Sequence, residues 1–244
     1  MSQKAELLVL PDSAKLFRSA AEFVVDALSQ PESGSAAAAL PGGSTPRRLF
    51  RILAEDYRDT LDWKSVHFFW GDERFVAPSH DDSNFGMAKR FLLDPLGIRS
   101  EQIHAVPTYL DSAETAALQY EREIRGFFGE NRPPRFDLIL LGLGGDAHTA
   151  SLFPSSEALK QSERLVAASF VSDLQSWRIT FTFPLINQAA VVAFLISGED
   201  KAAAVREVLE EEADVGKRPA QGVLPKEGRL VYLLDRDAAA LLDR

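Results

Sequence analysis

The chain has 244 residues, 45% hydrophobic and 26% charged, which is ordinary globular usage and excludes a disordered, fibrous or low-complexity protein. Its 27 Lys and Arg against 36 Asp and Glu leave a formal net charge of −9, so it offers no basic field to a nucleic-acid backbone. The absence of Cys removes disulfides, thiolate metal sites and cysteine nucleophiles, and any anionic ligand must be held by a few local cations and backbone amides.

The first apolar run, Leu7 to Leu10, stops at Pro11 and is too short for a signal-peptide core or a membrane span. A cytosolic protein without a membrane partner is expected. Glu6 to Leu10 reads as a strand. Asp12 or Ser13 then caps a helix in which Leu16, Phe17, Ala20, Ala21, Val24, Val25 and Leu28 recur at helical spacing. Ala36 to Leu40 is a second strand, and PGGSTP leads into a helix with Leu49, Phe50 and Leu53 inward. Val66 to Trp70 is a third strand. HDDSN (His80 to Asn84) lacks the ligand period of a calcium loop and reads as a turn capping a helix from Asn84. Asp137 to Leu143 is almost unbroken in apolar character, as in a strand covered on both faces. Arg178 to Phe183 alternates, with Ile179, Phe181 and Phe183 on one face, which predicts a strand with a polar face in an antiparallel or edge position. Val191 to Ile196, a helix with Ala202, Val205 and Leu209, then Arg229 to Leu234 and a short Ala/Leu helix complete the chain. Alternating strands and helices predict one α/β domain over 1–244, with a mainly parallel, doubly wound, Rossmann-like sheet, helices on both faces and a small antiparallel portion.

In open α/β sheets ligands bind beyond the carboxyl ends of the strands. Four segments fall there: Pro41 to Thr45, Gly71 to Arg74, Gly144 to Thr149, and Ser197 to Lys201. The first is a glycine turn feeding a helix, where amides near Gly43 and the Ser44 and Thr45 hydroxyls suit a phosphate. It lacks the Gly-Lys-Ser/Thr of a nucleotide loop, which favours a smaller phosphate ester. His148 alone among four His follows a buried strand and a glycine pair, so it is the candidate base, with Asp146 to orient it. A helix-capping His is the plainer alternative. His67 lies within a strand and reads as structural; His80 and His104 read as incidental. Arg74, Arg178 and Lys201 would bring three cations to one rim, although singly each resembles a solvated surface charge. Asp72, Glu73 and Asp146 have no metal-site spacing, and no metal is assigned. Gly142 to Ala147 satisfies the dinucleotide pattern G-x-G-x-x-A, but that reading leaves His148 and the Pro41 to Thr45 loop unused.

LPGGSTPRRLF (Leu40 to Phe50), WGDERFV (Trp70 to Val76) with DDSNF, LGLGGDAHTASLFP (Leu141 to Pro154), WRITFTFPLIN (Trp177 to Asn187), SGEDKA (Ser197 to Ala202) and RLVYLLDRDAAALL (Arg229 to Leu242) together resemble the 6-phosphogluconolactonase family, in order and over nearly the whole chain. The resemblance implies the α/β fold shared with glucosamine-6-phosphate deaminases, and hydrolysis of 6-phosphoglucono-δ-lactone without metal or cofactor. It further implies His148 as general base supported by Asp146, Arg74 in substrate binding or charge stabilisation, and Gly43, Ser44, Thr45, Arg178 and Lys201 around the phosphate. Many relatives read Asp-Gly-His where this chain has Asp146-Ala147-His148, which raises the question of whether position 147 is left-handed. An amino-sugar-phosphate deaminase is the nearest alternative, weakened because Ala150 to Pro154 lacks the Glu of that group. A sugar-phosphate-sensing regulator would need a DNA-binding module, for which the first strand at Glu6 leaves no room. A serine hydrolase using Ser44 or Ser151 has no G-x-S-x-G elbow.

Overall fold

The structure, a computed structural model, describes residues 5–31, 34–130 and 132–243. Strand β1 (Glu6–Leu10) leads into α1 (Ser13–Ser29), whose first turn is closed by Asp12 accepting a hydrogen bond from the Lys15 amide at 2.8 Å. The seven apolar positions expected to face inward on α1 are the seven that are buried. Strand β2 (Ala36–Leu40) is buried throughout, and its small side chains suit a strand covered on both faces. It is followed by α2 (Ser44–Asp56) and β3 (Val66–Trp70). With β5 (Leu138–Leu141), β8 (Val191–Ile196) and β9 (Arg229–Asp235) these strands form a six-stranded sheet, all of whose pairings are parallel, in the order β1-β9-β8-β5-β2-β3.

At Gly71 the chain leaves this sheet and enters a second one. Gly71 N–H donates to Leu40 O at 3.1 Å, and its carbonyl accepts from Phe181 N–H at 2.8 Å, so one residue is bonded to both layers. The short strand β4 (Asp72–Arg74) then pairs antiparallel with β7 (Ser176–Phe181), which pairs with β6 (Val166–Val171). The expected antiparallel portion is therefore present. Its polar face is not solvated, however: Thr180 and Thr182 are buried, and position 183 begins a helix instead of ending the strand. Thr182 Oγ1 donates back to the Arg164 carbonyl at 2.6 Å, which satisfies it away from water.

Between the sheets run α3 (Asn84–Ala88), a π-helical turn, α4 (Asp94–Leu96) and the long α5 (Ala113–Phe128). Buried Glu121 ties α5 to the small sheet, accepting from Arg125, from Arg164 and from the amides of Leu165 and Val166. Further along, α6 (Phe183–Ile186) and α7 (Ala202–Glu210) precede β9. The expected terminal Ala/Leu helix is absent. Residues 236–242 form turns, because after the Ala239 amide bonds Asp235 O the next bonds span only three residues.

Buried Glu73 fixes the connection out of β4. Its carboxylate accepts from the amides of Arg74, Asn84 and Phe85, each at 2.8 Å, and from Ser83 Oγ at 3.2 Å. Burial nevertheless outweighs these hydrogen bonds and raises its pKa to about 7. Between pH 4.5 and 7 the native state then keeps a proton that the unfolded chain has released, so stability falls as pH rises through that window. Urea unfolding of the wild type should show this loss, on the order of 3 kcal/mol, relative to Glu73→Gln, whose own pH profile should lack that slope even if its absolute stability is lower.

Candidate active site

The carboxyl ends of β2, β5 and β8 and the inner face of the small sheet enclose a cavity of about 250 Å³. The main sheet contributes Gly42 and Gly43 after β2, Gly144 and His148 after β5, and Lys201 beyond β8. Arg74 and Arg178 come from the small sheet, and they are direct partners in the β4–β7 ladder. The four loops separated in sequence thus meet at one rim.

The Gly142 to Phe153 segment is a sequence of tight turns. Gly144 N–H donates to His148 O at 2.9 Å and Ala147 N–H to Gly144 O at 3.1 Å, while Thr149 Oγ1 donates to Gly142 O. No helix opens after β5, so His148 caps none and the dinucleotide pattern lacks the helix it requires. Ala147 has φ 61° and Ala150 φ 50°, so position 147 is left-handed although it carries a Cβ. That conformation costs about 1–2 kcal/mol for an L-residue. It is held because the Ala147 carbonyl accepts from the Ala220 amide at 3.0 Å and its methyl group is fully buried.

This turn folds Asp146 back under His148. Asp146 Oδ1 lies 2.5 Å from His148 Nδ1 and accepts from the His148 amide at 3.2 Å. Burial works against the Asp146 carboxylate, but the hydrogen bond and charge of His148 prevail and hold its pKa below the usual range. A carboxylate at Nδ1 places the imidazole proton there and leaves Nε2 as the acceptor. Phe153 stacks on the ring, with centroids 4.1 Å apart. Gly144 is required by this packing, since a Cβ there would meet His148 Nδ1 at 2.1 Å and Asp146 Oδ1 at 2.5 Å.

The cations are arranged unusually. Arg74 Nη1 donates to the Asp82 carbonyl at 2.5 Å, but Nε of Arg74 and of Arg178 are buried without a hydrogen-bond partner. Burial first, and then the adjacent Arg74 charge, lower the pKa of Arg178. Lys201 stands 3.3 Å from Asp200 and is presented by a loop that Asp235 fastens through Ser197 Oγ and the Gly198 amide. Gly43 caps α2 with φ 106°. Ser44 and Thr45 begin that helix but are not among the residues lining the cavity, and Asp146 stands behind His148, likewise outside the lining.

Several lining residues had no assigned role from the sequence. Asp72 is buried and held by Ser151 Oγ at 2.7 Å and by Asn84 Nδ2 at 3.3 Å. Gly42 is needed because a Cβ would come within 1.8 Å of Asn84 Oδ1. Phe153 carries no polar signal, and only its position after the His148 turn could have marked it. The Gly144 amide is committed to His148 O and is not available to a ligand.

Fold and site together define an α/β protein whose two sheets share a cation-rich pocket lined by His148, with Asp146 behind the ring. The family of glucosamine-6-phosphate isomerases and 6-phosphogluconolactonases matches residues 11–232, and the chain belongs to it. It is 40% identical over 243 residues to a 6-phosphogluconolactonase of Nostoc sp., covering 98% of this chain and 99% of that one. With a 6-phosphogluconolactonase of Synechocystis sp. it shares 45% over 209 residues, 85% of each chain. Crystal structures of a similar kind include the 6-phosphogluconolactonase of Leishmania guyanensis, at TM-score 0.87 and 28% identity, covering 99% of this chain and 100% of that one. The 6-phosphogluconolactonase of Trypanosoma brucei superposes at TM-score 0.86 and 30% identity, with the same coverage.

Gly144→Ala should push the imidazole off Asp146. The low-field Nδ1 proton resonance of His148 is expected to disappear from the NMR spectrum while the far-ultraviolet circular dichroism stays unchanged. Retention of that resonance would show that the glycine is not what seats the ring.

Proposed function

We propose that this chain hydrolyses 6-phosphoglucono-δ-lactone to 6-phosphogluconate, a step of the pentose phosphate pathway, with His148 as the base that activates water. The observation that carries the reading is the meeting of an Asp-oriented imidazole with two half-buried arginines, each with an unpaired buried Nε, in one small cavity. The first suits proton abstraction; of the two arginines, Arg178 suits a dianionic phosphate and Arg74 the negative charge that develops at a carbonyl. Membership of the family and the lactonase names of its relatives supply the substrate.

A lactone carbonyl is already electrophilic, so no covalent nucleophile is needed. Water attacks the carbonyl carbon as Nε2 of His148 takes its proton, and Asp146 steadies the resulting imidazolium. The Gly43 amide and Arg74 are the groups placed to receive the developing oxyanion. The imidazolium then returns the proton to the departing ring oxygen as the C–O bond breaks. Arg178 and Lys201, with amides at the head of α2 where Ser44 and Thr45 stand, hold the remote phosphate and so fix the ring against the base. A cytosolic setting belongs to the same proposal. Among the described residues no helix is long and apolar enough to cross a membrane.

His148→Ala should lower kcat by about 10²-fold or more with the fold retained, and Asp146→Asn by a similar factor through the lost orientation of the ring. Arg178→Ala should raise KM by about tenfold or more with a smaller change in kcat. Both are measured against a prompt no-enzyme control, since the lactone hydrolyses unaided. Equal use of glucono-δ-lactone, which has no phosphate, would overturn the phosphate cradle, and ammonia release from glucosamine 6-phosphate would overturn the lactonase reading itself.

A further inference from the structure

Asp146 and His148 face different cavities. His148 lines the active-site cavity, whereas Asp146 lines a neighbouring one of about 520 Å³ whose walls include Ser156, Glu157, Phe170 and Asp173. The contact between His148 Nδ1 and Asp146 Oδ1 therefore crosses from one cavity to the other. Among the described residues, Phe153 alone lines both.

The backbone is fixed on either side of Phe153. Leu152 is fully buried and donates its amide to Thr149 O at 2.9 Å. Pro154 disfavours helical backbone at the residue before it, which is Phe153. Beyond it, Ser155 N–H donates to Gly216 O at 2.9 Å and Ser156 N–H to Phe153 O at 3.1 Å. The ring presented in this way lies on the His148 imidazole, with centroids 4.1 Å apart and planes 29° from parallel.

A hydrogen bond at Nδ1 holds one corner of the imidazole, and Nε2, across the ring, can still swing about that corner. Gly144 presses on the same edge, since a Cβ there would meet Nδ1 at 2.1 Å and Cε1 at 2.3 Å. A flat contact on the ring face is what limits the swing of Nε2. Solvent reaches the Asp146 carboxylate, whose side chain is 48% exposed, and an apolar ring against the imidazole keeps that water from competing for the shared proton. We propose that Phe153 is a positioning residue for the lactonase reaction: it holds Nε2 of His148 towards the attacking water and screens the Asp146–His148 hydrogen bond from the neighbouring cavity. This role rests on the assignment of His148 as the base. Phe170 lines the same neighbouring cavity but stacks on Trp177 instead, which makes it the matched control.

Phe153→Leu keeps apolar bulk and removes the flat ring, whereas Phe153→Tyr retains the ring. Phe153→Leu should lower kcat by about tenfold with KM changed by less than about twofold, and Phe153→Tyr should keep kcat near that of the wild type. By NMR, the Nδ1 proton of His148 should exchange with water faster in Phe153→Leu and at the wild-type rate in Phe153→Tyr, with the circular dichroism of both unchanged. Phe170→Leu should alter neither kcat nor exchange. Wild-type kcat and exchange in Phe153→Leu, while His148→Ala is inactive, would overturn the role of Phe153 alone. A loss carried by KM, or one equally large in Phe153→Tyr, would also overturn it. Turnover retained in His148→Ala would overturn the base and this role with it.

Discussion

Two guanidinium groups stand side by side where like charges repel and burial strips away water. Arg74 and Arg178 are cross-strand partners in the small sheet, and each keeps a buried Nε without an acceptor. Such an arrangement is unfavourable by itself and becomes favourable when a bound molecule brings negative charge to both groups. In a chain of net charge −9 it also concentrates positive charge locally at this cleft. The surrounding architecture serves to hold these two side chains against the ends of a parallel sheet. Gly71 passes the chain from one sheet to the other, and Glu73 pins the returning loop.

The other half of the site is built from backbone conformation more than from side chains. Between Gly142 and Phe153 the chain makes consecutive turns that bring residues two apart, Asp146 and His148, into direct hydrogen bonding. Doing so needs a bare Cα at Gly144 and a left-handed residue at 147, which here is Ala. The strain at Ala147 is offset by a buried methyl group and by the Ala220 amide, which belongs to a segment more than 70 residues later. Precision at the base thus depends on packing remote from it in sequence.

Most of the fold was legible because its strands are short apolar runs closed by glycine and its helices are amphipathic. The first helix was readable down to its seven buried positions. What failed was local and had physical causes. The Ala/Leu tail has helical composition, but it packs Ala238 into the core through tight turns, with the buried Asp235 carboxylate accepting the Ala238 amide. The alternation at Arg178 to Phe183 predicts an antiparallel or edge strand; the strand is antiparallel but central in its sheet, and its Thr residues are hidden against neighbours that no periodicity reveals. At the site, charged residues following strands could be found from topology alone. Phe153, Asp72 and Asn84 could not, because their roles come from stacking and from hydrogen bonds across long sequence separation. The His67 to His104 contact was invisible for the same reason: two residues dismissed separately are joined only when the edge of the sheet is formed.

The seam between the sheets has a thermodynamic consequence. The glycine turns, the imidazole and Lys201 ride on the parallel sheet, whereas both arginines ride on the three-stranded one, so any molecule touching all of them spans two separately hydrogen-bonded layers. An occupant acts as a noncovalent staple, and mass action suppresses the partial opening in which the smaller layer would peel away. Amide protons of β4 and β7 consequently report occupancy of the cleft through slower exchange with solvent, although the ligand touches few of them.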